Sequence, residues 1–102
     1  MIRVIYQWQV VAEDFTAFRD AWEATTNAIH AEVPGALGSF MLRQAEDPEQ
    51  VLTVARWASL EHWRAFWGKA DPEAMQRMRE LGTRISVDVY DEVDDFTRDP
   101  QA

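Results

Sequence analysis

The chain has 102 residues, room for a single domain, with 47% hydrophobic and 27% charged residues, an ordinary globular balance. Ten Lys and Arg against 18 Asp and Glu give a net charge of −8, which disfavours partners read through phosphate, such as nucleic acid, and anionic membrane surfaces. Cys is absent and the only histidines are His30 and His62, so disulfides, thiol catalysis and a three-His metal site within one chain are excluded.

No apolar run approaches the roughly 18 residues of a membrane span. The opening Met1-Ile2-Arg3-Val4 leads into strand-like sequence rather than an export leader, so a cytoplasmic protein is expected. Five Trp, five Phe and two Tyr are many for so short a chain, and such rings fill cores, interfaces or pockets for planar ligands.

Ile2 to Val11 reads as a strand, because Ile2, Val4, Tyr6, Trp8 and Val10 share one parity while Arg3, Gln7 and Gln9 take the other. Glu13 and Asp14 place negative charge at a helix start. Phe15, Phe18, Trp22, Thr25 and Ile29 then recur at helical spacing, and Pro34-Gly35 ends the helix. Leu37 to Gln44 predicts a second strand, Glu46 to Glu49 a turn, and Val51 to Trp57 a third strand closing a hairpin. Ser59 caps a short helix carrying Leu60, Trp63, Phe66 and Trp67, which Gly68 ends. Asp71-Pro72-Glu73 opens another helix with Ala74, Met78 and Leu81 inward, stopped at Gly82. Ile85 to Val93 is the last strand, with Ile85, Val87 and Val89 alternating against Ser86 and Asp88. From Asp91 the chain turns acidic and sparse and is expected to fray. The domain is taken as residues 1–96, with 97–102 a short tail.

The order βαββ(αα)β predicts an α+β, ferredoxin-like fold with an antiparallel sheet and helices on one face. The first two strands carry apolar residues on both parities, so the other face of the sheet would be an exposed apolar patch. A homodimer joined through that face is the expected solution.

The opening strand, the turn Val33-Pro34-Gly35-Ala36-Leu37, the strand Val51 to Trp57 and the following Ala58-Ser59-Leu60-Glu61-His62-Trp63 resemble the antibiotic biosynthesis monooxygenase family of dimeric α+β barrels. The resemblance covers about Ile2 to Val93. It implies a dimeric barrel and either of two chemistries: oxidation of hydroquinones or anthrones by dioxygen without metal or flavin, or haem degradation. For the first, the protein supplies a planar apolar slot, a polar group that steers a proton, and donors for the substrate anion. Haem degraders carry an Asn where Gln7 stands, a Trp near Phe66 or Trp67, and an axial His in the stretch matching Asp71 to Gly82, which has none here. Met75 and Met78 sit at core spacing, and haem degradation is disfavoured.

Gln7, His62 and Trp67 are therefore the catalytic candidates, and Trp63, Phe66 and Arg56 the substrate-binding ones. Each has a plainer alternative: Gln7 bonded to backbone, His62 solvated, Trp63, Phe66 and Trp67 in the core. Arg43 and Arg56 have ion-paired roles on strands, and His30 has a place at a helix C-terminus. The reading is a cofactor-independent monooxygenase for a small aromatic quinol or anthrone. The alternative is a non-catalytic dimeric module that binds a small molecule. An RNA-recognition domain is excluded by the charge and by the lack of a Gly-and-aromatic motif on the third strand.

Overall fold

The computed structural model describes residues 1–68, 73–98 and 100. It contains β1 (Ile2–Gln9), a single 3₁₀ turn (Ala12–Asp14), α1 (Phe15–Glu32), β2 (Ala36–Arg43), β3 (Gln50–Trp57), α2 (Leu60–Trp67), α3 (Glu73–Leu81) and β4 (Thr83–Asp91). The expected order is the observed one. The Asp71-Pro72 start expected for α3 lies outside the described residues.

The four strands form one antiparallel sheet in the order β2-β3-β1-β4. Alternation along β1 decides which face the helices cover. Ile2, Val4, Tyr6 and Trp8 are buried, and the residues between them point the other way. The register carries this layer across the sheet: Tyr6 lies opposite Thr53 and Val87, and Val4 opposite Ala55 and Val89. Phe18 from α1 and Met75 and Met78 from α3 close over it, and the Trp8 and Phe18 rings meet edge-on at 5.1 Å. Burying each such large apolar side chain contributes about 1.5–3 kcal/mol.

None of the described helices covers the opposite face. Phe40, Leu42 and Tyr90 are 43%, 50% and 55% exposed there, beside Ile5, Leu52 and Val54. The apolar patch expected on this face is present.

Two bulges re-aim side chains. In β2 the register shifts between Ala36 and Ser39, where Gly38 holds φ +97° and Leu37 is turned out to solvent. In β4 the shift falls opposite Gln7 and Trp8, so that Gln7 faces Ser86, Trp8 faces Arg84, and Ile85 is the extra residue, 49% exposed. The expected inward alternation of Ile85, Val87 and Val89 therefore fails at Ile85. Only Val87 packs against the core, while Val89 stays exposed at the edge of the layer. The position Ile85 would have filled goes to Arg84.

The α1–β2 turn is tied to α2. Gly35, at φ +85°, leaves room for the His62 ring; a Cβ there would lie 2.6 Å from the His62 Cβ. Just past Asp91, where the sequence predicts fraying to begin, Glu92 and Asp95 anchor the chain, while Val93 and Phe96 stay exposed. Glu92 accepts from Arg3 Nε at 2.7 Å and from Arg56 Nη2 at 2.9 Å, and Asp95 lies 3.5 Å from Arg3. These guanidinium groups hold the Glu92 carboxyl below the ordinary glutamate range. None of the described helices is long and apolar enough to cross a membrane.

Candidate functional site between the sheet and the helices

A cavity of about 50 Å³ lies between the sheet and the helices. Its floor is Tyr6, Ser39, Thr53 and Ala55 from three strands. Its roof is Trp22, Thr25 and Ile29 from α1, with Phe66 from α2 and the two methionines of α3. Floor and roof are largely apolar, yet hydroxyls stand among them, and those of Thr53, Ser39 and Thr26 are each fixed by a ring or a neighbour. Trp8 Nε1 donates to Thr53 Oγ1 at 3.1 Å, Trp22 Nε1 to Ser39 Oγ at 3.0 Å, and Thr26 Oγ1 pairs with the same Ser39 oxygen at 3.0 Å. A buried polar group without a partner costs free energy, so these bonds are what allow hydroxyls on the core parity at all.

Tyr6 is the hub. Its ring is 4% exposed, its hydroxyl accepts from Trp63 Nε1 at 3.2 Å, and its centroid lies 5.8 Å from that of Trp67. Trp63 and Trp67, one helical turn apart on α2, stack at 5.5 Å. Burial pushes the Tyr6 phenol up, opposed by the bond from Trp63 and the charge of Arg84, so the group stays protonated through neutral pH. Arg84, brought to this side by the β4 bulge, lies 4.9 Å over the Trp67 ring. Its Nη1 is buried and has no hydrogen-bond partner among the described residues. Tyr6, which lines the cavity, thus forms with Trp67 and Arg84, which lie outside its lining, a corner with an aromatic wall, a neutral phenol and a cation with donor capacity to spare. Such a corner can hold the anionic oxygen of a planar ligand.

The structure distributes the predicted residues unevenly. Phe66 lines the cavity, Trp63 is 8% exposed and bonded to Tyr6, and Trp67 carries Arg84. Gln7 points to the other face of the sheet, where its Oε1 accepts from Ser86 Oγ at 3.3 Å. Arg56 is also committed on that face, to Glu92. His62 is exposed at the start of α2; its Nδ1 is 2.6 Å from Ser59 Oγ and its ring covers Gly35. Arg43 lies 3.9 Å over Phe15 and donates to the Pro48 carbonyl, and His30 is exposed. Met75 and Met78 are core, as their spacing predicts.

Sequence reasoning missed Tyr6, Ser39, Thr53 and Arg84. The first three carried a signal, since each is a hydroxyl residue on the parity that faces the core. Arg84 carried none, because its face depends on the bulge. Among the described residues no three His, Cys, Asp or Glu side chains gather to hold a metal ion, and no His stands in the cavity to ligate a haem iron.

The family model for antibiotic biosynthesis monooxygenases matches residues 1–81. The chain belongs to this family. Among solved structures, SnoaB, a cofactor-independent oxygenase from Streptomyces nogalater, superposes with a TM-score of 0.74 at 17% identity, over 95% of this chain and 97% of that one. The haem degrader MhuD from Mycobacterium tuberculosis, solved with two haems in its active site, superposes with a TM-score of 0.77 at 22% identity, over 95% of this chain and 100% of that one. At these identities the likeness is one of fold. No curated protein sequence matches the chain.

Proposed function

We propose that this protein is a cytoplasmic, homodimeric, cofactor-independent monooxygenase that oxidises a small aromatic quinol or anthrone with dioxygen at the Tyr6 corner. The observation that carries the reading is the buried, unpaired Arg84 Nη1 beside the neutral Tyr6 phenol and the Trp67 ring. Family membership supports an oxygenase, and SnoaB is a neighbour in fold that works without cofactor.

In this chemistry the substrate supplies the electrons. Loss of a proton makes an electron-rich anion, and that anion reduces dioxygen directly. For an anthrone, the ring methylene becomes a carbonyl; one oxygen atom enters the product and the other leaves as water with the two methylene hydrogens. The guanidinium of Arg84 and the Tyr6 hydroxyl stabilise the anion, and the aromatic wall packs against its rings. No described residue of the cavity lining is a base near neutral pH, so the proton passes to solvent and the cation does the activating. A cavity of about 50 Å³ is smaller than one ring, and entry requires the roof to adapt. Met75 and Met78 are the side chains most able to do so, being unbranched and polarizable.

Dimerisation through the open sheet face would cover the hollow of about 620 Å³ around Gln7, Leu42 and Leu52, leaving the helix-side cavity of each copy free.

The test is dioxygen uptake by metal-free, flavin-free protein against hydroquinones and anthrones. Uptake above autoxidation with oxygenated product is expected, and Arg84→Gln should lower kcat about 100-fold. Removing the cation raises the substrate's pKa in the site, so the rise of kcat with pH should move to higher pH in that variant. Saturable quenching of Trp fluorescence by the same compounds with no uptake would instead establish the non-catalytic binding module. That alternative is favoured by the same lack of a base.

A further inference from the structure

Beside the Tyr6 cavity, between α1 and the edge strand β2, lies a hollow of about 390 Å³, within the size range of small-ligand sites. Phe15, Trp22, Phe40 and Met41 give it apolar walls. Its charged groups are Arg19 and Arg43, and no carboxylate stands among the described residues that line it, in a chain whose net charge is −8. Arg43 is held by the Phe15 ring, 3.9 Å from its guanidinium carbon, and by the bond from its Nε to the Pro48 carbonyl. Arg19 lies 3.7 Å from Asp20 and 3.5 Å from Glu23. All three side chains are more than half exposed, and such pairs hold a guanidinium weakly. Trp22 and Ser39 line this hollow and the Tyr6 cavity alike, so the two spaces meet at the Trp22–Ser39 hydrogen bond.

We propose that this hollow binds the carboxylate of an aromatic acid, whose rings lie along Trp22 and Phe40 toward the Tyr6 cavity. A guanidinium presents parallel N–H donors that match a carboxylate. Two of them lining one hollow with no competing carboxylate favour an anion over a neutral ligand. The rings of Phe15, Trp22 and Phe40 suit the flat apolar body of an arene. The inner cavity, about 50 Å³, is smaller than one ring, whereas the hollow beside it has space for a larger body. A ligand anchored there by its acid end meets the cavity at Trp22. That this arene is the substrate rests on the oxygenase reading, and it narrows the quinol or anthrone to one that bears an acid group. Binding of an aromatic acid stands apart from that reading.

The probe is anthracene-2-carboxylate, an arene acid that is not a quinol, set against its carboxamide in calorimetric titrations of the full chain at neutral pH and low salt. The acid should bind about tenfold more tightly than the amide, and high salt should shrink that preference. In Arg19→Gln/Arg43→Gln the preference should fall to about twofold or less. Arg43→Gln also removes a group stacked on Phe15, so Arg19→Gln alone, at an exposed position, is the second variant and should lose part of the preference while keeping the wild-type circular dichroism spectrum. In the isotope-labelled chain the Trp22 indole N–H resonance should move along the same binding curve. Equal affinity for acid and amide in the wild-type chain would overturn the site. So would a preference that survives in both variants, or saturable binding that leaves the Trp22 resonance unmoved. Dioxygen uptake separates the two readings. With 2,5-dihydroxybenzoate as the quinol, the double variant should raise KM about tenfold. An acid preference in a chain that consumes no dioxygen with any quinol would remove the oxygenase reading and leave the acid site. Uptake from neutral quinols by a chain with no acid preference would remove the acid site and leave the oxygenase.

Discussion

At the scale of single residues, Tyr6 illustrates how burial and hydrogen bonding set a chemical state. The phenol is enclosed by Trp63 and Trp67 and donates or accepts without ionising, because its anion would have to be desolvated. Tyr6→Phe leaves the Trp63 indole N–H unpaired, which should cost about 1–3 kcal/mol in urea denaturation. The pH dependence follows from the direction of the shift. A phenol whose pKa is raised in the folded chain holds its proton where the unfolded chain has lost it. Stability is therefore unaffected below the ordinary tyrosine value of about 10 and falls as pH rises above it. Tyr6→Phe should flatten that alkaline limb, measured as unfolding free energy between neutral pH and alkali. Arg84 makes the complementary point: a cation packed over an indole with a buried, unsatisfied N–H is poised for an anion that no described residue provides.

Among the elements, the join between the α1–β2 turn and α2 shows local sequence serving tertiary placement. Ser59 Oγ accepts from the His62 N–H at 3.2 Å as an N-cap, which starts α2, and the same helix lays the His62 ring on Gly35. Gly35→Ala meets two obstacles at once, a left-handed φ and the His62 ring, and should destabilise the chain by about 1–3 kcal/mol. In a double-mutant cycle His62→Ala should recover part of that loss by removing the steric component. Independent, additive costs would mean that the ring does not set the position of α2.

For the molecule as a whole, the open sheet face is the dominant feature. Leu42 is 50% exposed, so a charge placed there costs the isolated chain little, whereas in a sheet-to-sheet dimer it would be buried. The wild-type chain should sediment as a dimer at micromolar concentration, and Leu42→Glu should sediment as a folded monomer with an unchanged circular dichroism spectrum. A wild-type monomer would refute the dimer and require another cover for Phe40, Leu42 and Tyr90. Glu92 binds Arg3 and Arg56 beside this face and Asp95 lies 3.5 Å from Arg3, so two carboxylates balance two cations next to an apolar surface. The same face holds Gln7, so a Gln7 role in catalysis and a dimer through the sheet compete for one surface.

The amino-acid sequence by itself determined the element order, the inward face of β1, the inner stripe of α1 through Trp22 and Thr25, and the aromatic character of α2. These rest on periods of two and 3.6 residues and on local caps, which need no knowledge of distant partners. Alternation along β1 also sets Gln7 and Tyr6 on opposite faces of the sheet. Only the tertiary structure decided the two bulges, because a bulge is a property of the register between strands and not of either strand alone. With the bulges came the inward turn of Arg84, the exposure of Ile85 and a cleft beside Gly38. The bond from Trp63 to Tyr6, across 57 positions of chain, and the anchoring of Glu92 by Arg3 belong to the same class. Each is a pairing of side chains that sequence separation hides and folding brings within 3.2 Å.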